Sequence, residues 1–167
     1  MLLYHGSNKA IEQPRLLEQQ RGLDFGMGFY LTTNEIQAMR FSEIVVNRRK
    51  SGSPTVSVYQ FDMETAEETL VIRKFEGANA QWLRFITDNR LKTYKGDIDD
   101  IVIGAVANDK VMPTIQAFLS GFINHEAALI TLKTSKLADQ VCLKSEKALS
   151  LLRFVRSFKT TEGVNDE

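Results

Sequence analysis

The stretch DFGMGFYLTTN, residues 24–34, constrains this chain more than any other. Gly26 and Gly28 stand directly before a β-prone run, and the run stops at Thr33 and Asn34, residue types that start helices by accepting from free backbone N–H groups. A glycine lacks the Cβ that keeps other groups off the backbone, so something must approach closely here. Phe41 follows Tyr30 by eleven positions, on the helix expected from about 34 to 46, so the strand end and the first helical turns face each other. Two aromatic faces so placed can sandwich a flat heteroaromatic ring, each stacked pair contributing about 0.5–1.5 kcal/mol beyond burial. The alternative is that Phe41 belongs to a buried helical stripe with Ala38 and Val45.

Around this stretch, periodicity predicts strands at residues 2–5, 28–33, 55–62, 70–75, 99–106 and 139–145. Helices are predicted over 79–90, where Trp82, Phe85 and Ile86 have core spacing, and in VMPTIQAFL and HEAALITL. LLRFVRSF, 151–158, fits either a last strand or a short helix. The fold class is therefore α+β, with short strands and peripheral helices. A chain of 167 residues with 43% hydrophobic content suits one domain, residues 1–158, with 159–167 as a polar, frayed tail.

Composition narrows the function. Lysine plus arginine number 21 and aspartate plus glutamate 21, so no global field draws the chain to nucleic acid or an anionic membrane. Arg48, Arg49 and Lys50 form a basic cluster best explained as the solvated end of a helix. A single cysteine, Cys142, no signal-like leader and no run of roughly 20 apolar residues point to a cytoplasmic protein without a membrane span. One cysteine and two histidines make no zinc framework, so no metal is expected. There is no GxxxxGK[ST], no GxGxxG and no GxSxG, which disfavours phosphate-loop, dinucleotide-fold and nucleophile-elbow chemistry.

LYHGSN, residues 3–8, ends a strand in His5 and Gly6, exposing backbone donors and acceptors beside an imidazole. A planar amide could dock there; the plainer alternative is a strand running into a Gly-Ser turn.

In this order, LYHGS and then FGMGFYLTTN resemble the first two signature motifs of the diphtheria-toxin-like and poly(ADP-ribose)-polymerase-like ADP-ribosyltransferases. More specifically the chain resembles a small bacterial family of that superfamily, with DFGMGFYLT, IVIGAVANDKV and DQVCLKSEKAL as recurring blocks, some of whose members are regarded as toxins encoded beside a small antitoxin. The resemblance covers residues 2–152 and implies an ADP-ribosyltransferase-like arrangement of split sheets. It also implies a mono-ADP-ribosyltransferase that consumes NAD, releases nicotinamide and modifies a macromolecular acceptor, with an antitoxin protein as partner. The alternative is a weak or inactive module of the same fold that binds NAD or a protein.

Carried over by position, the resemblance implies that His5 bonds the adenosine ribose, that the Gly6 backbone, next to Ser7, grips the carboxamide, and that Tyr30, beside Gly28, and Phe41 stack on nicotinamide. Phe41 replaces a tyrosine, which preserves the π-face. Ala38 replaces the serine of the polymerase-like branch, removing one carboxamide bond. The superfamily's late glutamate corresponds to Gln140, which orients ribose but stabilises developing positive charge less well. If that contact contributes roughly 3 kcal/mol, its loss slows the step by about 10²–10³. Asp109, in the loop VANDK, is a candidate second acid, the plainer alternative being an N-cap of the helix starting at Val111.

Overall fold

The segment following Asn34 is helical because Asn34 caps it. Its side-chain oxygen accepts from the Gln37 N–H at 3.1 Å, Glu35 puts a carboxylate in the first turn, and Arg48 and Arg49 occupy the last. This helix, α1 (Glu35–Arg49), closes at Lys50 in the left-handed conformation, φ 54°. Ahead of it lie β1 (Leu2–Ser7) and β2 (Phe29–Thr32). After it come β3 (Thr55–Phe61), α2 (Met63–Thr69), β4 (Ile72–Lys74), α3 (Ala80–Arg90), β5 (Ile101–Ala105), α4 (Met112–Leu119), α5 (His125–Lys133), β6 (Asp139–Leu143), α6 (Glu146–Ser150) and β7 (Leu152–Lys159). The computed structural model describes residues 1–18, 22–96, 98–108, 110–135 and 137–160.

The strands form one mixed seven-stranded sheet in the order β4-β5-β6-β2-β1-β3-β7, so the fold is α+β. β4 pairs with β5 in parallel; the other neighbours are antiparallel. Side chains alternate between the faces. On one face Leu3, Phe29, Leu31, Tyr59, Phe61, Ile101, Val141 and Leu143 make a core with Ala66 of α2 and Ala148 and Leu149 of α6. The opposite face carries two separate cores. Ala38 of α1 packs on Val56 and Val58, whereas Trp82, Leu83, Phe85 and Ile86 of α3, with Ile115 of α4 and Ala128 and Leu132 of α5, pack on Val102 and Cys142.

The approach of α1 to β1 requires Gly6. A Cβ there would lie 2.1 Å from the Ala38 carbonyl oxygen and 2.8 Å from the Ser42 nitrogen. Ala38, Ser42 and Val45 form the buried stripe of α1, so the helix turns its smallest residues toward the strand.

Two helices, α2 and α6, arise where no helix is expected from periodicity. Both are short and held by caps, Asp62 accepting from the Thr65 N–H at 3.1 Å and Ser145 from the Ala148 N–H at 3.1 Å. The segment 151–158 resolves as strand. The frayed tail is expected to begin at 159, but Lys159 is still paired with Thr55, and the Thr160 N–H donates to the Pro54 carbonyl at 3.0 Å; the remaining 161–167 lie outside the described residues. No described helix is long and apolar enough to cross a membrane.

Gly6→Ala should lower the unfolding free energy by about 2–3 kcal/mol through overpacking against α1. Ile36→Ala, on the exposed face of the same helix, should change it by less than about 0.5 kcal/mol. Urea denaturation of the two variants against the parent measures both.

Candidate functional site

Between the two cores on one face, β1, β2 and β6 bring together three of the residues singled out by sequence, Gly6, Tyr30 and Gln140, the first under α1 and the last buried at the edge of the α3 core. β2 pairs with β6 in the register Tyr30 to Cys142 and Thr32 to Gln140, so Tyr30, Thr32, Gln140 and Cys142 share that face. On its other side β2 meets β1 only at the pair Tyr4 to Thr32, while β1 pairs with β3 along its whole length from Leu2 to Ser7. The seam between β1 and β2 therefore opens toward Gly6 and Tyr30. His5 bridges it through the backbone, with Nδ1 2.7 Å from the Tyr30 carbonyl oxygen, while its ring stacks on Phe29 and so lies on the face opposite Tyr30 and Gln140.

A carbonyl can only accept, so His5 Nδ1 carries the proton and Nε2 presents a lone pair. Burial against Phe29, whose ring stacks on the imidazole at 4.4 Å, pushes the His5 pKa below its usual value; the Tyr30 carbonyl opposes this, and the Arg49 charge adds to it. The imidazole is thus neutral at pH 7.

Tyr30 is half-buried. Its hydroxyl donates to the Gly26 carbonyl at 2.6 Å and accepts from the Phe25 N–H at 3.0 Å, and its ring stacks near that of Phe25, centroids 6.4 Å apart. Burial, with Cys142 adjacent, drives its pKa far above the ordinary phenol range. Cys142 lies beneath it, fully buried, its thiol pushed up to about 12 by desolvation. Phe41 is 43% exposed, outside the buried stripe of Ala38, Ser42 and Val45, and no ring contact joins it to Tyr30 among the described residues.

The glycines before Tyr30 serve the protein's own packing. Gly26 has φ +76°, a left-handed turn that lets the loop double back to Tyr30. Gly28 passes β6 so closely that a Cβ would meet Cys142 Sγ at 2.3 Å, so the space it leaves is taken by Cys142 and not by a ligand ring. Ser7 is buried, its hydroxyl 3.4 Å from Asn8 Oδ1, with its side chain on the face opposite Gly6 and Tyr30. Asp109 lies outside the described residues.

Gln140 is buried, and its Nε2 donates to the Ala105 carbonyl at 3.4 Å. The Trp82 indole N–H donates to the same oxygen at 2.9 Å. One carbonyl at the end of β5 thus fixes both side chains, and the position favours an amide: a carboxylate would set two acceptors against each other. Neither Trp82 nor Lys144 is among the expected site residues. Lys144 donates to the Phe25 carbonyl and, at 3.0 Å, to the Met27 carbonyl, holding the Tyr30 loop against β6, and desolvation lowers its pKa. Period two along DQVCLK puts Gln140, Cys142 and Lys144 on one face, so this signal is legible in the sequence. The Trp82 contact depends on a distant carbonyl and is not.

Cavities of about 420 and 320 Å³ open elsewhere, the first beside Met1 and Phe61, the second against Gly22, Gly26, Met27 and Tyr94. Neither borders Tyr30, Phe41 or Gln140, so the candidate site rests on the β1–β2 seam and not on either cavity.

With this geometry in place, the chain can be assigned: it belongs to the family described as protein of unknown function (DUF3990), whose model matches residues 1–154. Neither the curated proteins nor the solved structures provide a match.

Two outcomes follow from the site's electrostatics. Gln140→Glu should cost about 1–3 kcal/mol of stability at pH 7, because the new carboxylate faces the Ala105 carbonyl. Its folded-state pKa then exceeds the unfolded value of about 4.3, so the cost shrinks as pH falls toward 4 and the protonated acid donates to Ala105. For His5 the folded pKa lies below 6.5, so the unfolded chain binds more protons and stability drops as pH descends from about 6.5. The stability difference between parent and His5→Gln, measured by denaturation from pH 8 to 5, should narrow or reverse over that interval.

Proposed function

We propose that this protein is an NAD-consuming mono-ADP-ribosyltransferase acting on a macromolecular acceptor, with nicotinamide held at the β1–β2 seam. One observation carries it. Gly6, Tyr30 and Gln140, far apart in sequence, line one strip of sheet face between two helical covers, His5 ties its two strands together, and Phe41 stands exposed on the adjoining helix. The nearness of Gly6, Tyr30 and Gln140 supports the reading that the resemblance of LYHGS and FGMGFYLTTN to ADP-ribosyltransferase motifs implies.

In this reading the backbone of β1 beyond Tyr4, unpaired toward β2, offers the donor and acceptor a carboxamide needs. Tyr30 is a fixed wall, tethered at its hydroxyl by Phe25 and Gly26, and Phe41 is the opposite one. His5, whose ring lies on the other face against Phe29, acts in this reading by holding the Tyr30 carbonyl and with it the seam. The bond from nicotinamide nitrogen to ribose C1′ breaks with its electron pair leaving on neutral nicotinamide. The acceptor's nucleophile bonds C1′ and releases its proton to solvent. Gln140, with its amide N–H on Ala105, offers its carbonyl oxygen to the ribose 2-hydroxyl and orients it without supplying a full negative charge. Turnover should therefore be slow by the standards of a carboxylate site. A toxin role with a neutralising antitoxin, acting in the cytoplasm, accords with the family resemblance.

The observation favouring a second reading, a binding module of the same fold, is the same Gln140: its amide is locked and no described carboxylate takes its place in the strip.

Incubation with NAD labelled in the adenylate half and a cell extract should transfer label to macromolecules and release nicotinamide. Phe41→Ala, at an exposed position, should leave folding intact and weaken NAD binding in calorimetry by about tenfold. NAD binding without nicotinamide release selects the binding module, and absence of both binding and release rejects the NAD site.

A further inference from the structure

β7 is the last strand of the sheet, and its outer edge faces no other strand among the described residues. It runs eight residues, LRFVRSFK, and contains no acidic side chain. Its register on β3 pairs Phe158 with Val56, Arg156 with Val58, Phe154 with Tyr59 and Arg153 with Gln60, which leaves Val155 as an extra, bulged residue. The bulge has a chemical effect. Arg153 and Arg156, an odd number of positions apart, would otherwise point to opposite faces; here both emerge on the α1 side, beside Val58 and Gln60. Leu152 and Phe154 emerge on the other face, next to Phe61 and Tyr59. Arg156 lies over the Phe158 ring at 4.8 Å and 3.9 Å from Glu35, a loose and solvent-screened pair that leaves most of its charge uncompensated.

We infer that the free edge of β7 is a strand-addition site for an acidic, extended segment of a protein partner. Unpaired backbone N–H and C=O groups along β7 provide the main-chain bonds. Carboxylates of the incoming strand lie along Arg153 and Arg156, and its alternate apolar side chains extend the surface of Leu152 and Phe154. A second copy of this chain would bring cations against cations, so the same residues that recruit an acidic strand oppose self-pairing. The inference is independent of NAD: it uses a different edge of the sheet.

The test titrates full-length protein with an eight-residue peptide of alternating glutamate and valine and, separately, with its lysine counterpart, following anisotropy of the labelled peptide and amide hydrogen exchange along β7. The acidic peptide should bind and slow exchange in β7, and the lysine peptide should do neither. The double variant Arg153→Glu/Arg156→Glu should weaken the acidic peptide about tenfold and admit the basic one. Equal behaviour of the two peptides with the parent protein, or no protection of β7 by the acidic one, overturns the inference, whatever the variant does.

Discussion

The backbone of α1 rests on β1 at Gly6 with no room for even a methyl group between them. That contact holds α1 over β1 and β3, while α3, α4 and α5 cover β5 and β6 through their own core. β2 lies between the two covers, so Tyr30 and Thr32 on β2 and Gln140 beside them on β6 are left as a strip of sheet face with helices to either side. The candidate site is a product of this division. A larger residue at position 6 would move α1, and Phe41 with it.

Gln140 is the point at which chemistry and packing meet. The Ala105 carbonyl accepts from both Trp82 and Gln140, so the glutamine is part of a hydrogen-bonded support that reaches into the α3 core. Replacing it by a carboxylate would break that support. An amide here is consequently a coherent choice for the surrounding structure, and in the proposed transferase step the loss of charge stabilisation is set against it.

Much of the scaffold is legible in the sequence because its signals are local. Asn34 caps α1, alternation marks β3 and β6, and Trp82, Phe85 and Ile86 are buried as their spacing demands. The strand or helix ambiguity of 151–158 has a physical cause: the bulge at Val155 breaks the two-residue period, and Phe154 and Phe158 end up on opposite faces. α2 and α6 have no apolar stripe and depend on single caps, which periodicity does not detect. In the site, the roles of Gly6 and Gly28 are visible only as close approach in general; that their neighbours are α1 and Cys142 is decided by tertiary pairing. Lys144 could be read from its phase with Gln140, whereas Trp82 acts through a carbonyl more than twenty residues away.

The loop that carries Tyr30 is secured from several directions. Lys144 holds the carbonyls of Phe25 and Met27, the Tyr30 hydroxyl holds that of Gly26, and Arg90 of α3 holds the Asp24 carboxylate at 2.7 Å. A molecule arriving at the seam meets a wall whose shape is set before it comes. At the proposed site, discrimination would work by exclusion of whatever does not fit, and association would need no slow rearrangement of the loop before the encounter becomes productive.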